Sequence, residues 1–164
     1  QEVQILMYTS VAKYAATGIA TTYLHIVEPK PMPGGQVVVN ANAMKTGLSA
    51  DGKIALYGLY FDTGKTEIKA ESKAQLEEMA KLLRAQPGAK FFIVGHTDNV
   101  GNFEANQTLS LQRSQAVVSA LAAPPYSIDV KRLSAKGAAN IMPVSSNSDE
   151  AGRALNRRVE LVAR

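Results

Sequence analysis

Phe91-Phe92-Ile93-Val94-Gly95-His96-Thr97-Asp98-Asn99-Val100-Gly101 is the stretch on which the reading of this chain turns. Phe91–Val94 is a short aromatic and β-branched run, entered through Pro87-Gly88 and left through Gly95, so it reads as a strand. Before it, Leu76, Met79, Ala80 and Leu83 recur at i, i+3, i+4 and i+7, the spacing of an amphipathic helix. Glu77 and Lys81 add a favourable i,i+4 pair on its outer side. Earlier still, the apolar run Ile54–Phe61 suits a buried strand. Downstream, Ser110 is a good N-cap for a second helix. Leu111, Val117, Val118 and Leu121 fall on one face of that helix, and Pro124-Pro125 ends it. Lys131–Lys136 and Arg157–Val162 read as two more strands. In the latter, Val159 and Leu161 alternate with Arg158 and Glu160, which predicts one buried face. Met142–Asp149 reads as a polar loop and Asp149–Asn156 as a short helix. From about residue 53 the order is therefore strand, helix, strand, helix, strand, strand, which predicts one sheet covered by helices.

The first fifty residues read differently. Val3–Tyr8, Thr21–Val27 and Gln36–Asn40 are β-branched and aromatic runs, expected to be strands. Pro29-Lys30-Pro31-Met32-Pro33-Gly34-Gly35 separates the last two and fits neither helix nor central strand. The expected division is a β-rich arm over 1–50 and a globular domain over 51–164. The chain has 164 residues and 46% apolar content, enough for a core without disulfides or metal. No cysteine is present, so disulfides, thiolate metal sites and a cysteine to carry a lipid are excluded within the sequence. A net charge of +4 comes from scattered Lys and Arg, without a basic block and without Trp, which gives nucleic-acid binding little support. No stretch reaches the roughly 20 apolar residues of a membrane span.

Asp98 lies in a glycine-bounded loop after a strand, a common place for functional groups. Fifteen positions later comes Arg113, expected as the third residue after the Ser110 cap. A cation there opposes the helix dipole, where a capping box would place Glu or Gln, and such local rule-breaks tend to mark functional sites. A helix N-terminus with an arginine makes a receptor for a carboxylate. On spacing alone, the plainer account has Asp98 capping a turn and Arg113 solvated. Thr63-Gly64-Lys65-Thr66 looks like the end of a phosphate-binding loop, but that motif needs a glycine where Leu59 stands. Gly64 is expected as a plain turn glycine. His96 and Asp98 lack a third ligand at recognisable spacing, so no metal is expected and His96 is read as hydrogen-bonding within the loop. No nucleophile elbow or carboxylate pair stands out. Arg157 and Arg158 point to opposite sides of their strand and cannot share a role. Their plainest reading is a solvated edge that discourages aggregation.

Taken together, these residues resemble the OmpA C-terminal-like domain, the peptidoglycan-binding module also found in Pal lipoproteins and MotB-type stators. The matching pieces are Tyr60-Phe61-Asp62-Thr63-Gly64-Lys65, Val94 to Gly101, Asn106 with Leu109-Ser110 and Arg113, Arg132-Leu133-Ser134-Ala135-Lys136-Gly137, Pro143, Ser146-Asn147, and Asn156-Arg157-Arg158-Val159-Glu160-Leu161. They run from about 57 to 162 in the family's order and reverse the plain account of Asp98 and Arg113. The resemblance implies an α+β fold, a two-layer α/β sandwich with a βαβαβ-type mixed sheet and helices on one face. It implies noncovalent, nonenzymatic binding of peptidoglycan at the meso-diaminopimelate of the stem peptide, without cofactor, in the periplasm at the outer membrane or cell envelope. Asp98 would take the ligand's ammonium and Arg113 its carboxylate, with Phe61, Asp62, Thr63, Leu109 and Asn156 around the same pocket. The chain departs from the family pattern at Ala70, where proline is common, and in Ala122-Ala123-Pro124-Pro125-Tyr126. The alternative is an envelope interaction or homodimerisation module that uses the N-terminal arm.

Overall fold

The computed structural model describes residues 4–11, 20–27 and 38–164. The chain divides into a unit ending at Gly34 and a second running from Gly35 to Arg164. In the first, β1 (Gln4–Val11) and β2 (Ala20–Val27) pair antiparallel, from Gln4 opposite Val27 to Val11 opposite Ala20.

The second unit begins with a helix that the sequence reading assigned to the β-rich arm. Val38–Asn40 is irregular, the preceding part of the expected strand lies outside the described residues, and α1 spans Ala41–Asp51. Asn40 caps α1 by accepting from the Ala43 amide at 2.9 Å. Gln75 ties the segment before α1 to the next helix, accepting from the Val39 amide and donating to the Val39 carbonyl. Met44 is fully buried. Packing therefore moves the boundary from residue 50 to Gly34–Gly35, and α1 belongs to the globular unit. Asn42, Thr46 and Gly47 weaken this helix and only Met44 of it is buried, so no apolar stripe marks it in the sequence.

Four strands form the sheet, in the order β3 (Lys53–Leu56), β6 (Val159–Ala163), β4 (Phe91–Gly95), β5 (Leu133–Gly137). β6 runs antiparallel to both its neighbours, and β4 and β5 are parallel. Ile54, Leu161, Ile93 and Ala135 lie opposite one another across the sheet and so share a face. α1 covers that face at Ile54, and α3 (Phe103–Ala122) covers it at Gly95 and Gly137. The core joins these residues to Leu76, Met79, Ala80 and Leu83 of α2 (Lys73–Ala85), the residues whose spacing predicted that helix.

Strand ends differ from expectation where local turns intervene. β3 stops at Leu56, and Phe61 returns only as a single antiparallel bridge to Ile68 across a turn in which Gly64 has φ +68°. A short 3₁₀ turn over Val130–Arg132 precedes β5, capped by Asp129. The short helix α4 (Glu150–Asn156) is capped by Asp149, in the place the sequence marks.

The second helix departs most from its expected start. α3 begins at Phe103, and its cap is Asn102, which accepts from the Ala105 amide at 3.1 Å. Ser110 is mid-helix and fully buried. A Cβ at Gly95 would run into the Ser110 carbonyl, and one at Gly137 would come within 2.7 Å of Ser110 Oγ. The glycines at the paired strand ends let the helix backbone lie against the sheet. The first half of α3 accordingly packs Asn106, Ser110 and Ser114 inward and carries no apolar stripe.

Candidate binding site

Asp98 stands on the loop that continues β4. The His96 amide donates to the Arg158 carbonyl and the Thr97 amide to the Ala139 carbonyl, both at 2.9 Å, so strand-like pairing runs on almost to the carboxylate. Asp98 Oδ1 then accepts from the Val100 amide at 3.0 Å, turning the loop. Asn106 Nδ2 of α3 donates to the Val100 carbonyl at 2.9 Å and ties the loop to the helix. Asp98 Oδ2 accepts from Arg157 Nη1 at 2.7 Å. Arg157 also pairs with Glu150 on α4. Its two partners, Asp98 first, hold the Arg157 guanidinium above its ordinary pKa.

Arg113 is the eleventh residue of α3, so it opposes no helix dipole. Its guanidinium is fixed by the turn before α2: Nε donates to the Lys65 carbonyl and Nη2 to the Asp62 carbonyl, each at 3.0 Å. The group lies 5.0 Å from the Phe61 ring centroid, a cation–π distance. Desolvation chiefly, and then the Arg157 charge, push its pKa down, while Asp98 pulls the other way. Asp98 and Arg113 thus sense each other's charge without forming an ion pair. Of the five N–H groups on a guanidinium, at least two remain for a ligand, and the Asp98 carboxylate still has lone pairs free.

The cleft between them is narrow, about 20 Å³, lined by Leu59, Phe61, Gly95, His96, Arg113, Arg157, Arg158 and Val159. Phe61 and Arg113 are in it, and Asp98 flanks it through Arg157. Asp62 is exposed on the turn, pairs with Lys65 and Lys69, and contributes its carbonyl to Arg113. Lys65, first, and Lys69 hold its carboxyl below the usual range. Thr63 is exposed on the same turn. Leu109, half-buried, lies one turn before Arg113 on α3, outside the cleft lining. Asn156 is buried, and its amide is spent internally: Oδ1 accepts from the Val144 and Ser145 amides, and Nδ2 donates to the Ser145 carbonyl and Asn147 Oδ1. It sets the shape of the loop leading into α4.

The residue the sequence reading passed over is Arg157. Strand parity showed that only one of the two arginines could share a role with the loop, but not which one. Arg158 corrects the solvated-edge reading directly. It is 3% exposed, and its Nε and Nη2 donate to Glu160 Oε1 at 2.9 and 2.7 Å, while Nη2 also reaches the Met142 carbonyl. Alternation separates the two faces correctly, yet this end of the second face is covered by the loop carrying Met142 and by His96. His96 is likewise buried; its Nε2 lies 3.5 Å from Glu160 Oε2, and its side chain makes no hydrogen bond within the loop. Burial would raise the Glu160 pKa, but His96 and Arg158 outweigh it and hold the carboxyl at about 2. No group of metal-ligating side chains occurs among the described residues. Thr63–Thr66 is a turn, with Lys65 on Asp62.

A mixed sheet with helices on one face carries, at one end, a loop carboxylate and a helix guanidinium held apart. The chain belongs to the OmpA family, whose sequence model matches residues 60–157. It is 43% identical over 101 residues to outer membrane protein Omp38 of Acinetobacter baumannii, covering 62% of this chain and 28% of that protein. The peptidoglycan-binding protein ArfA of Mycobacterium bovis is 39% identical over 87 residues, 53% of this chain and 26% of ArfA. The chain thus spans under a third of the length of these two relatives. Among solved structures, the peptidoglycan-associated lipoprotein from Burkholderia pseudomallei is similar at a TM-score of 0.58 and 31% identity, over 65% of this chain and 88% of that one.

Proposed function

We propose that this chain is a nonenzymatic, envelope-associated module on the periplasmic side that binds peptidoglycan noncovalently, gripping the meso-diaminopimelate of the stem peptide. What supports the reading is that Arg113 lines a cleft that Asp98 flanks through Arg157, the two being opposite charges not paired with each other, each with hydrogen-bonding capacity to spare. Diaminopimelate presents an ammonium and a carboxylate on one carbon. Asp98 takes the ammonium and Arg113 the carboxylate, with Arg157, bonded to Asp98, adding a second cation toward the carboxylate. Family membership supports the wall as the ligand, as do ArfA and the peptidoglycan-associated lipoprotein, both named for that association. The outer-membrane relative supports the location. Charge-assisted hydrogen bonds contribute roughly 1.5–3 kcal/mol each, which gives a modest single-site affinity that many attachment points multiply.

Cosedimentation with purified diaminopimelate-type sacculi tests the reading. Asp98→Ala and Arg113→Ala should each weaken binding by about 2–5 kcal/mol, because each leaves a partner charge unpaired. Undiminished binding by both folded variants would refute the assignment. A second reading, docking or homodimerisation through the arm, draws on the β1–β2 hairpin, which pairs with no further strand among the described residues and so presents open edges. Sedimentation before and after removal of that hairpin separates the two readings.

A further inference from the structure

At the opposite end of β4 from Asp98 lies a larger cavity, of about 340 Å³. Its floor, at Phe91, and Gly95 in the cleft are the two ends of five-residue β4, four steps and so about 13 Å apart. α1 supplies Lys45, Leu48 and Ser49, the turn into β4 supplies Gln86 and Gly88 through Phe91, and β6 closes it with Ala163 and Arg164. Phe91, 2% exposed, and half-buried Leu48 and Ala89 make an apolar floor. Lys45 and Lys90 stand exposed at the rim, and no acidic residue lines the cavity. Lys53, Lys65, Lys69, Lys73 and Lys81 each have a carboxylate partner. Among the described residues, Lys45 and Lys90 have none, as is also true of Lys131 and Lys136 away from this cavity. Arg164 lines the cavity, but its guanidinium lies 5.4 Å from the Phe92 ring centroid on the other face of the sheet, so the rim's charge is that of the two lysines.

The geometry points to a second binding site here, for an acidic peptide segment of a partner protein. Charge complementarity selects the partner's carboxylates, and a rim of one sign over a low-dielectric floor focuses that attraction. The volume is that of a small-ligand site. The Gln86 amide and Ser49 hydroxyl can meet a peptide backbone, and Phe91 and Leu48 can receive an apolar side chain between two acids. A phosphate headgroup would use the lysines and leave that floor uncovered. The site is independent of the wall-binding reading.

The test is a ¹⁵N NMR titration of the full chain with a blocked glutamate–leucine–glutamate tripeptide at low salt, beside the glutamine–leucine–glutamine analogue and phosphatidylglycerol vesicles. The acidic peptide should shift the amides of Lys45, Leu48, Gly88 and Lys90 while leaving Asp98–Gly101 unmoved. Affinity should fall by roughly tenfold or more in Lys45→Glu/Lys90→Glu, and less in Lys45→Gln/Lys90→Gln, which guards against misfolding in the first variant. Equal shifts with the neutral analogue, or none with the acidic peptide, would overturn the proposal. Capture by vesicles through the same lysines, with the peptide inert, would replace the peptide by a membrane surface.

Discussion

Two arginines one position apart do opposite jobs because their surroundings differ. Arg157 is partly open, with its charge shared between Asp98 and Glu150. Arg158 is sealed beneath the strand end with Glu160 and serves the fold. The sign of its pH dependence follows from Glu160. A free glutamate titrates near 4.3, whereas the folded carboxyl is held at about 2. A group whose folded pKa is depressed binds protons more readily when unfolded, so its stabilisation is full above about pH 4.3 and is lost as pH falls toward 2. Glu160→Gln should cost about 3–5 kcal/mol at pH 7, because it strands the Arg158 charge. In urea denaturation the gap between wild type and variant should narrow from pH 5 to pH 2, and a gap independent of pH would contradict this role. In the proposed wall-binding reading, Arg113 is the residue that would discriminate between wall types. Lysine-type peptidoglycan lacks the second carboxylate, so the native chain should bind it far less than the diaminopimelate type, with the difference largely erased in Arg113→Ala. Equal native binding to both wall types, measured by cosedimentation, would remove Arg113 from that task.

At the scale of elements, α3 and the strand ends beneath it act as one device. Gly95 and Gly137 are opposite each other on β4 and β5, and the Ser110–Ser114 turn sits on them. That close approach brings Arg113, three residues past Ser110, alongside the β4 loop that carries Asp98. Gly95→Ala should therefore destabilise the domain by about 3 kcal/mol or more, since the methyl meets backbone that cannot move aside. The check is a lower denaturant midpoint at unchanged slope. A variant as stable as the native chain would show that the helix lies farther from the sheet. The same device explains what the sequence could and could not reveal. Leu76, Met79, Ala80 and Leu83 announce α2 because they pack apolar groups in a regular spacing. The first half of α3 packs small polar residues against glycines, and that leaves no stripe to read. Asp98 and Arg113 were legible as a pair through the surrounding motif. The cause assigned to Arg113, a charge at odds with a helix start, was not correct, because the start lies at Asn102.

At the scale of the whole molecule, the buried core among the described residues lies between Met44 and Leu161, within the globular unit. Removing residues 1–34 should leave its unfolding free energy within about 0.5 kcal/mol. Removing residues 1–50 should cost about 2–5 kcal/mol or more, because it takes away Met44 and empties its place in the core. Thermal or urea unfolding of the two truncations decides where the unit begins, and equal stability would return α1 to the arm. The boundary is hard to read because prolines and glycines mark the end of the first unit while α1, just after them, buries only Met44 and so shows no apolar stripe.

The position of β4 has a mechanical consequence. It is held on both sides, parallel to β5 and antiparallel to β6, and the Asp98 loop is its direct continuation. Tension applied through a wall-bound loop would run along that strand and strain two rows of backbone hydrogen bonds together, in shear. An edge strand pulled the same way would load only one row. The proposed grip is thus mounted on a strand that is held from both sides.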